Sequence, residues 1–200
     1  MKHCDFCDQP AIYRCAQSGR YLCVSHARID VVAPEDGDKA RPLPVRPAEP
    51  GDREALYALA MHFWGETEVD ALGQRYDLLS LPAFVACVGD NVVGALSYAV
   101  EDDRLHIVAL HILPDYQGSG TGHALVQEAI AQAKREGLAR VVLVTTNDNL
   151  PALYFYQRLG FLLVGLVPGA LVHLHGREEP GMAGIPVRDE VQLELPLRTE

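Results

Sequence analysis

The spacing of apolar residues predicts a helix that begins just after residue 52. Leu56, Leu59, Ala60 and Phe63 recur at the i, i+3, i+4 and i+7 positions, which lie on one face of a helix. Asp52 precedes this run and is of a residue type that caps helix N-termini. The sequence therefore predicts an amphipathic helix with one buried face.

Further along the chain, apolar runs and alternating positions predict a series of strands and helices. The predicted strands are residues 44–47, 84–88, 92–98, 105–113, 141–145, 161–167 and 191–197. The predicted helices are residues 67–76, 120–136 and 150–159. Residues 168–186 are expected to form a loop, and the last strand is expected at an edge of the sheet. A meander followed by a βαβ unit and two more strands predicts an α+β domain with a mixed sheet.

The overall charge narrows the classes of partner. The chain has 200 residues, a formal net charge of −10 and no apolar run near the ~20 residues that a membrane span needs. An acidic chain disfavours non-specific binding to nucleic acid, which depends on clustered Lys and Arg, but it is compatible with a cationic amine substrate. The first residues lack the apolar stretch of a secretory signal. We therefore expect a cytoplasmic protein that binds neither nucleic acid nor a membrane.

A glycine-rich turn between a predicted strand and a predicted helix carries a chemical signal. The turn consists, in order, of Gln117, Gly118, Ser119, Gly120, Thr121 and Gly122. Glycines permit left-handed backbone conformations and let a ligand approach the main chain closely. Unpaired amides at the start of the following helix favour an anion. The turn therefore predicts a pyrophosphate site; a turn that merely connects strand and helix is the alternative.

Two segments resemble the motifs of the GNAT acyltransferases. The first, which is similar to the Gln/Arg-x-x-Gly-x-Gly/Ala motif of that family, is Gln117-x-x-Gly120-x-Gly122. The second lies downstream in the order that the family shows and is Asn149-x-x-Ala152-x-x-x-Tyr156-x-x-x-Gly160-Phe161. The resemblance covers residues 45–167. It implies a GNAT-type mixed, mostly antiparallel sheet flanked by helices.

The resemblance also implies that the chain uses acetyl-CoA as a co-substrate. The amides of residues 117–122 would hold its pyrophosphate, and its pantetheine arm would follow the strand that ends at Ile112 and Leu113. Asn149, Ala152 and Tyr156 belong to the same implied cofactor site. Gln117 stands where many relatives carry Arg, so backbone donors are expected to contribute more of the binding.

Two residues are implied as catalytic groups. Tyr156 would protonate the departing CoA sulfur, although a core tyrosine would lie on the same helical face. Several family members carry a Glu eleven positions before the glycine motif, and that position is His106 here. A neutral histidine accepts protons near pH 7; a histidine satisfied by its neighbours is the alternative. Strand alternation places His106 on one face with Val108, Leu110 and Ile112, and His111 on the other.

The acceptor pocket of the family lies between the first helices and the last strands. Acidic groups there would attract an ammonium group, although each residue taken singly is more often a solvated surface residue. The candidates are His62, Trp64, Glu66 and Glu68 on one side and His173 and His175 on the other.

Four of the five cysteines lie near the start of the chain and predict a metal site. Cys4-x2-Cys7 and Cys23-x2-His26 form two ligand pairs of the kind that bind a structural zinc ion in a tetrahedral arrangement. So short a segment lacks an apolar core, so the metal would supply the folding free energy. The spacing resembles a B-box zinc finger, but Ser18 occupies the position of the ligand that would accompany Cys15. One zinc ion is therefore expected.

The chain is thus predicted to contain a zinc-finger module at residues 1–28, a linker at 29–43 and a GNAT domain at 44–200. The expected function is transfer of an acetyl group from acetyl-CoA to an amine of a small molecule or protein, with the zinc module docking a partner protein. The alternative is an acyl-CoA-binding interaction protein without transferase activity, recruited through its zinc finger. A monomer or homodimer is expected.

Overall fold

The structure is a computed structural model that describes residues 13–14, 21–22 and 42–197. Its strands are β1 (Tyr13–Arg14), β2 (Tyr21–Leu22), β3 (Val45–Pro47), β4 (Glu68–Ala71), β5 (Gln74–Asp77), β6 (Ala83–Val88), β7 (Asn91–Glu101), β8 (Arg104–Ile112), β9 (Arg140–Thr146), β10 (Leu162–Val167) and β11 (Glu190–Pro196). Its helices are α1 (Arg53–Phe63), α2 (Thr121–Arg135), α3 (Leu150–Arg158) and α4 (Ala170–His175). None of the helices described is long and apolar enough to cross a membrane.

Seven strands form one mixed sheet in the spatial order β10-β11-β9-β8-β7-β6-β3. Within this sheet, β8 and β9 are parallel and every other neighbouring pair is antiparallel. β4 and β5 form a separate hairpin, and β1 pairs with β2. The predicted mixed, mostly antiparallel sheet flanked by helices is confirmed.

The two faces of the sheet carry different layers. Along β6, Phe84 packs with α2 and α3, whereas Val85 on the opposite face packs with Leu59 of α1. The hairpin β4–β5 covers the same face as α1 and buries Val69 and Tyr76 there. Each fully buried aliphatic side chain contributes roughly 1.5–3 kcal/mol. The sheet is therefore stabilised from both sides.

The parallel pairing of β8 with β9 is short. It runs from the Arg104–Arg140 pair to the Ile107–Leu143 pair and stops there. Beyond this point β8 stays paired with β7, and β9 stays paired with β11. The two strands therefore separate within the sheet, and the gap between them opens immediately after Ile107.

A β-bulge lies at the head of this gap. Ser97 of β7 pairs with Ala109, and Tyr98 pairs with Ile107, so Val108 is an extra residue in β8. An extra residue reverses the alternation of all side chains beyond it.

The bulge overturns the predicted facing of β8. Leu110 and Ile112 contact the core beneath α2 and α3. His106 contacts Tyr76 of β5, and His111 stacks on Phe63 of α1, so both histidines lie on the opposite face. The prediction that His106 shares a face with Leu110 and Ile112, away from His111, is wrong because simple alternation does not hold across a bulge.

The predicted helix over residues 67–76 is also wrong, because this segment is the β4–β5 hairpin. Its two-residue turn, Leu72-Gly73, has positive φ angles of 50° and 73°, as a type I′ turn requires. Val69, Ala71 and Tyr76 are buried at alternating positions.

The last strand does not lie at an edge. β11 inserts between β9 and β10, so that β10 is the edge strand. The predicted loop over 168–186 contains the short helix α4. Sequence order does not reveal such an insertion, because it depends on pairing between distant segments.

Asp52 precedes α1 but does not cap it. Its carboxylate accepts hydrogen bonds from Arg46 at 2.6 and 2.9 Å and from the Glu49 amide at 2.7 Å. The hydrogen bond from Arg46 lowers the pKa of Asp52 to about 2. This ion pair joins β3 to the start of α1.

Candidate active site

The glycine turn has the backbone of an anion site. Gly118 and Gly120 have φ angles of 75° and 82°, which only glycine adopts without strain. α2 begins directly afterwards, and no side chain caps its first turn at Gly120. Amides in the first turn of a helix have no intrahelical partner, and the helix dipole adds positive potential there. This backbone is suited to an anion, and the pyrophosphate site in the turn stays a prediction.

Polar side chains hold this turn in place. The Gln117 amide donates to the Ile112 carbonyl oxygen at 3.0 Å, and the Ser119 hydroxyl donates to the Tyr116 carbonyl oxygen at 2.7 Å. Ser119 Oγ also lies 2.7 Å from Thr121 Oγ1. Gln117 therefore ties the turn to the end of β8, where the cofactor arm is expected.

Gly122 lets α2 lie close to β8 and α3. A Cβ atom at this position would stand 3.0 Å from Ile112 Cδ1 and 3.4 Å from Phe155 Cζ. Ile112 packs on the core beneath α2, whereas the next residue, Leu113, packs on the side of α1. The structure therefore brings the turn and the predicted pantetheine-binding residues together at one end of the gap.

The second motif forms the N-terminal turn and one face of α3. The Asn149 side chain accepts a hydrogen bond from the Ala152 amide at 3.2 Å and caps the helix. Tyr156 is 7% exposed and packs between Phe155 and Phe161, with ring centroids 5.0 and 5.4 Å away. Burial raises the pKa of Tyr156 above its usual range. Its phenol therefore stays protonated, as an acid must, although a core tyrosine would look the same.

His106 lies fully buried at the head of the gap, on the face opposite Tyr156. Its Nδ1 is 3.2 Å from the Tyr76 hydroxyl. That hydroxyl donates to Glu101, which also pairs with Arg104 at 2.9 Å. His106 Nε2 is buried and has no hydrogen-bond partner among the described residues. Burial lowers the pKa of His106 to about 4, so the ring is neutral at pH 7.

The sequence did not point to Tyr76 or Glu101 as neighbours of His106. Tyr76 falls in the predicted helix over residues 67–76, and Glu101 falls between the predicted strands 92–98 and 105–113. The alternation of Val69, Ala71 and Tyr76 around Leu72-Gly73 is the signal that identifies the hairpin carrying Tyr76.

His111 belongs to an aromatic group at the end of α1. Its ring stacks on Phe63 with a centroid distance of 5.1 Å, and its Nε2 accepts a hydrogen bond from the Trp64 indole. Burial lowers its pKa to about 4. His62 contacts Phe63 edge to face at 4.8 Å. Trp64 and His62, both predicted for the acceptor pocket, therefore lie at the outer end of the same face as His106.

The remaining acceptor candidates gather partly at the β4–β5 hairpin. Arg75 pairs with Asp70 at 2.8 Å and with Glu68 at 3.6 Å, and Glu66 adds to the negative charge around it. The pKa of Asp70 is lowered by its hydrogen bond with Arg75 and, more weakly, by the charge of His175 on α4. Three carboxylates thus face one guanidinium in this hairpin. His173 is exposed, close to Gly169 at the start of α4.

Asn147 and Asp148, directly after β9, connect the β9 side of the gap to the segment before β11. The sequence analysis did not single out either residue. Asn147 accepts hydrogen bonds from the amides of Arg188 and Asp189 at 2.9 Å and donates to the Pro186 carbonyl oxygen at 3.0 Å. Asp148 accepts from the Met182 amide at 2.9 Å. A polar run directly after β9 was the available signal.

The predicted zinc ligands Cys4, Cys7, Cys23 and His26 lie outside the described residues. Within the part of the chain that is described, no three His, Cys, Asp or Glu side chains are arranged to hold a metal ion. The zinc site, the division into domains and the roles of the individual site residues stay predictions.

Comparison with known proteins identifies the class of this fold and site. Residues 53–161 match the acetyltransferase (GNAT) family. A Bacillus subtilis acetyltransferase in complex with CoA superposes with a TM-score of 0.63 and 25% identity, over 78% of this chain and 99% of that one. The protein YxbD of Bacillus subtilis is 30% identical over 70% of this chain and 91% of its own length. Streptothricin acetyltransferase of Streptomyces lavendulae is 30% identical over 60% of this chain and 82% of its own.

The chain belongs to the GNAT family of acetyltransferases. It is an acyltransferase that uses acetyl-CoA, so the predicted family, enzyme class and co-substrate are confirmed.

The left-handed backbone of the glycine turn leads to a first prediction. Gly120→Ala places a Cβ atom on a residue with φ 82° and should cost about 1–2 kcal/mol of stability. It should also weaken CoA binding about tenfold, because the amides of the anion site shift. Gly137→Ala, at the other end of α2 with φ 69°, is the matched control and should lose stability only. Calorimetric titration with CoA measures the affinity of each variant, and thermal unfolding measures its stability. Equal CoA affinities in the two variants would contradict a pyrophosphate site in this turn.

The two buried histidines lead to a second prediction. Both have pKa values of about 4 in the fold, against about 6.5 in an unfolded chain. Their stabilising contribution is therefore complete above pH 6.5 and is lost as the pH falls toward 4. Urea titrations should show the free energy of unfolding falling between pH 7 and pH 5, by on the order of 1–3 kcal/mol. His111→Gln should reduce this dependence and the exposed His62→Gln should not; equal effects would show that His111 is not held neutral.

Proposed function

We propose that the chain transfers the acetyl group of acetyl-CoA to an amine of a small molecule or protein, with His106 as base and Tyr156 as acid. The observation that carries this proposal is the separation of β8 from β9, with His106 buried beside the last paired residues and Tyr156 in the core on the opposite face of the sheet. A thioester carried through the gap would present its carbonyl between them. The amine would then arrive from the side of α1 and the hairpin.

The cofactor path follows from the chain's own groups. The amides of residues 117–122 supply donors for the pyrophosphate, and Asn149 caps α3 beside the arm. Backbone N–H and C=O groups of β8 beyond Ile107 lie along the gap and have no β9 partner. They are suited to hydrogen bonds with the amides of a pantetheine arm. The bound co-substrate supplies the activated acetyl group.

The cationic acceptor first loses one proton to solvent and enters the site as a neutral amine. His106 Nε2 takes a second proton from that amine as the amine nitrogen forms a bond to the thioester carbonyl carbon. The carbon–sulfur bond then breaks, and the departing thiolate takes the proton of the Tyr156 hydroxyl. Solvent returns a proton to Tyr156 and removes one from His106. The products are the N-acetylated acceptor and CoA.

The acceptor is proposed to be cationic in solution. The carboxylates of Glu66, Glu68 and Asp70 outnumber the one guanidinium among them, and Trp64, directly after α1, is half exposed. Negative charge at this face attracts ammonium groups. The relative named streptothricin acetyltransferase makes streptothricin a suitable first probe, and short peptides with free N-termini serve as a second class of amine.

An acyl-CoA-binding protein without transferase activity fits the site less well. A receptor that only binds CoA needs the glycine turn and the gap. It has no need for a neutral, buried histidine or a protonated tyrosine near the point where the strands separate.

The catalytic assignments are tested by two conservative variants. Tyr156→Phe removes the acid, and His106→Asn removes the base while keeping a donor toward Tyr76. Each should lower kcat by about 10²-fold or more, with the affinity for acetyl-CoA unchanged by calorimetry. Release of CoA in the presence of streptothricin or the peptides provides the assay. Full turnover in either variant would remove that residue from the mechanism.

We further propose that residues 1–28 bind one structural zinc ion through Cys4, Cys7, Cys23 and His26 and serve as a docking module. Paired Cys-x2-Cys and Cys-x2-His spacings support this ligand set. Such a site has no open coordination position, so it would not take part in acetyl transfer.

Metal analysis of the purified chain tests the zinc module. We expect about one zinc ion per chain, retained in Cys15→Ser and lost in Cys4→Ser. Two zinc ions per chain, or loss of zinc in Cys15→Ser, would show that Cys15 is a ligand and that the single-site assignment is wrong.

A further inference from the structure

The two nitrogen atoms of His106 have different surroundings. Nδ1 lies within hydrogen-bond distance of the Tyr76 hydroxyl, whereas Nε2 has no partner among the described residues, although the side chain is fully buried. A buried polar atom without a partner destabilises a fold, because it loses its hydrogen bonds to water and gains none in return. An exception of this kind calls for a ligand or a role in chemistry.

The hydrogen bonds around Tyr76 determine where the proton of His106 lies. Glu101 accepts from Tyr76 and from Arg104, and its pKa is lowered first by the Tyr76 hydrogen bond and then by Arg104. Glu101 is therefore ionised and can only accept. The single proton of the Tyr76 hydroxyl is committed to Glu101, so the Tyr76 oxygen can only accept from His106. His106 must then carry its proton on Nδ1.

We propose that Tyr76 and Glu101 are positioning residues that hold His106 as the Nδ1-protonated tautomer, so that a bare Nε2 lone pair receives the proton of the acceptor amine. This inference rests on the proposed role of His106 as the base. It gives the β4–β5 hairpin a function, because Tyr76 reaches His106 from β5.

Tyr76 and Glu101 also stabilise the imidazolium that His106 becomes when it accepts a proton. Burial lowers the pKa of His106, the charge of Glu101 raises it, and the charge of Arg104 lowers it. Among the described residues, Glu101 and Arg104 are the charged groups that act on this ring. When Nε2 takes a proton, the imidazolium is stabilised by Glu101 through the Tyr76 hydroxyl. This is the role of a carboxylate behind a catalytic histidine.

The tautomer is directly measurable by nitrogen NMR on protein labelled with ¹⁵N-histidine, which reads each ring nitrogen without any assay of activity. At pH 7 the wild-type chain should show His106 protonated on Nδ1 and bare on Nε2. His106→Asn assigns the resonances. A ring protonated on Nε2 in the wild type would overturn the proposal.

Glu101→Gln is the sharpest variant because it preserves size and replaces one carboxylate oxygen with a donor. Arg104 can only donate, so the glutamine oxygen faces Arg104 and the glutamine NH2 faces Tyr76. That NH2 donates to the Tyr76 oxygen, which frees the Tyr76 proton to point at Nδ1 and moves the His106 proton to Nε2. We expect this tautomer switch in the NMR spectrum, with kcat at least tenfold lower and the KM for acetyl-CoA unchanged. An unchanged tautomer with unchanged kcat would overturn the proposal.

Tyr76→Phe removes the link altogether and should lower kcat and change its pH profile, because Nδ1 loses its acceptor and Glu101 no longer acts on the ring. Tyr98→Phe is the matched control, since Tyr98 is an equally buried tyrosine on the opposite face of the sheet. Equal pH profiles in Tyr76→Phe and the wild type would contradict a positioning role. Full turnover in His106→Asn would overturn both the assignment of His106 as the base and this inference. If His106→Asn loses turnover but the wild-type ring carries its proton on Nε2, this inference alone is overturned.

Discussion

The separation of β8 from β9 is the constraint on which the rest of the site depends. Only four residue pairs join these parallel strands, from Arg104–Arg140 to Ile107–Leu143, before each strand continues with a different neighbour. A continuous sheet would leave no passage between the two helical layers. The gap brings the end of β8, the glycine turn and the start of α2 to one side, and the Asn147-Asp148 anchor of the last strand to the other. The fold thus lets the two halves of the sheet diverge while each keeps its own strand pairs.

The bulge at Val108 decides which side chains meet at this opening. By adding one residue to β8, it directs His106 and His111 toward α1 and the β4–β5 hairpin, while Leu110 and Ile112 stay in the core beneath α2. The face toward α1 therefore carries the two histidines, and the face toward α2 carries the apolar residues that support the glycine turn. The β4–β5 hairpin covers this face and supplies Tyr76. A small element outside the main sheet therefore becomes part of the proposed proton path.

Local signals in the sequence were sufficient for the helices α1, α2 and α3, most strands and the glycine turn, because each depends on neighbouring residues alone. The cofactor motif was recognisable for the same reason. The segment from Glu68 to Asp77 was misjudged because its turn, Leu72-Gly73, interrupts an alternation too short to stand out. The facing of His106 was misjudged because nothing in an apolar run reveals a bulge that arises from its register with β7. The place of β11 was misjudged because it depends on contacts with β9, distant in the chain.

The unpaired Nε2 of His106 lowers the stability of the fold but is the atom that the proposed reaction uses. Folding strips this nitrogen of water and gives it no protein partner in return, so the native state is less stable than one with an apolar side chain packed in the same space. A chain improved for thermal resistance alone would tend to lose this imidazole first, and with it the proposed chemistry. In the proposed mechanism, an arriving amine would reverse that deficit by donating the missing hydrogen bond to Nε2. The acceptor is then not only a reactant but also the last structural component of the interior.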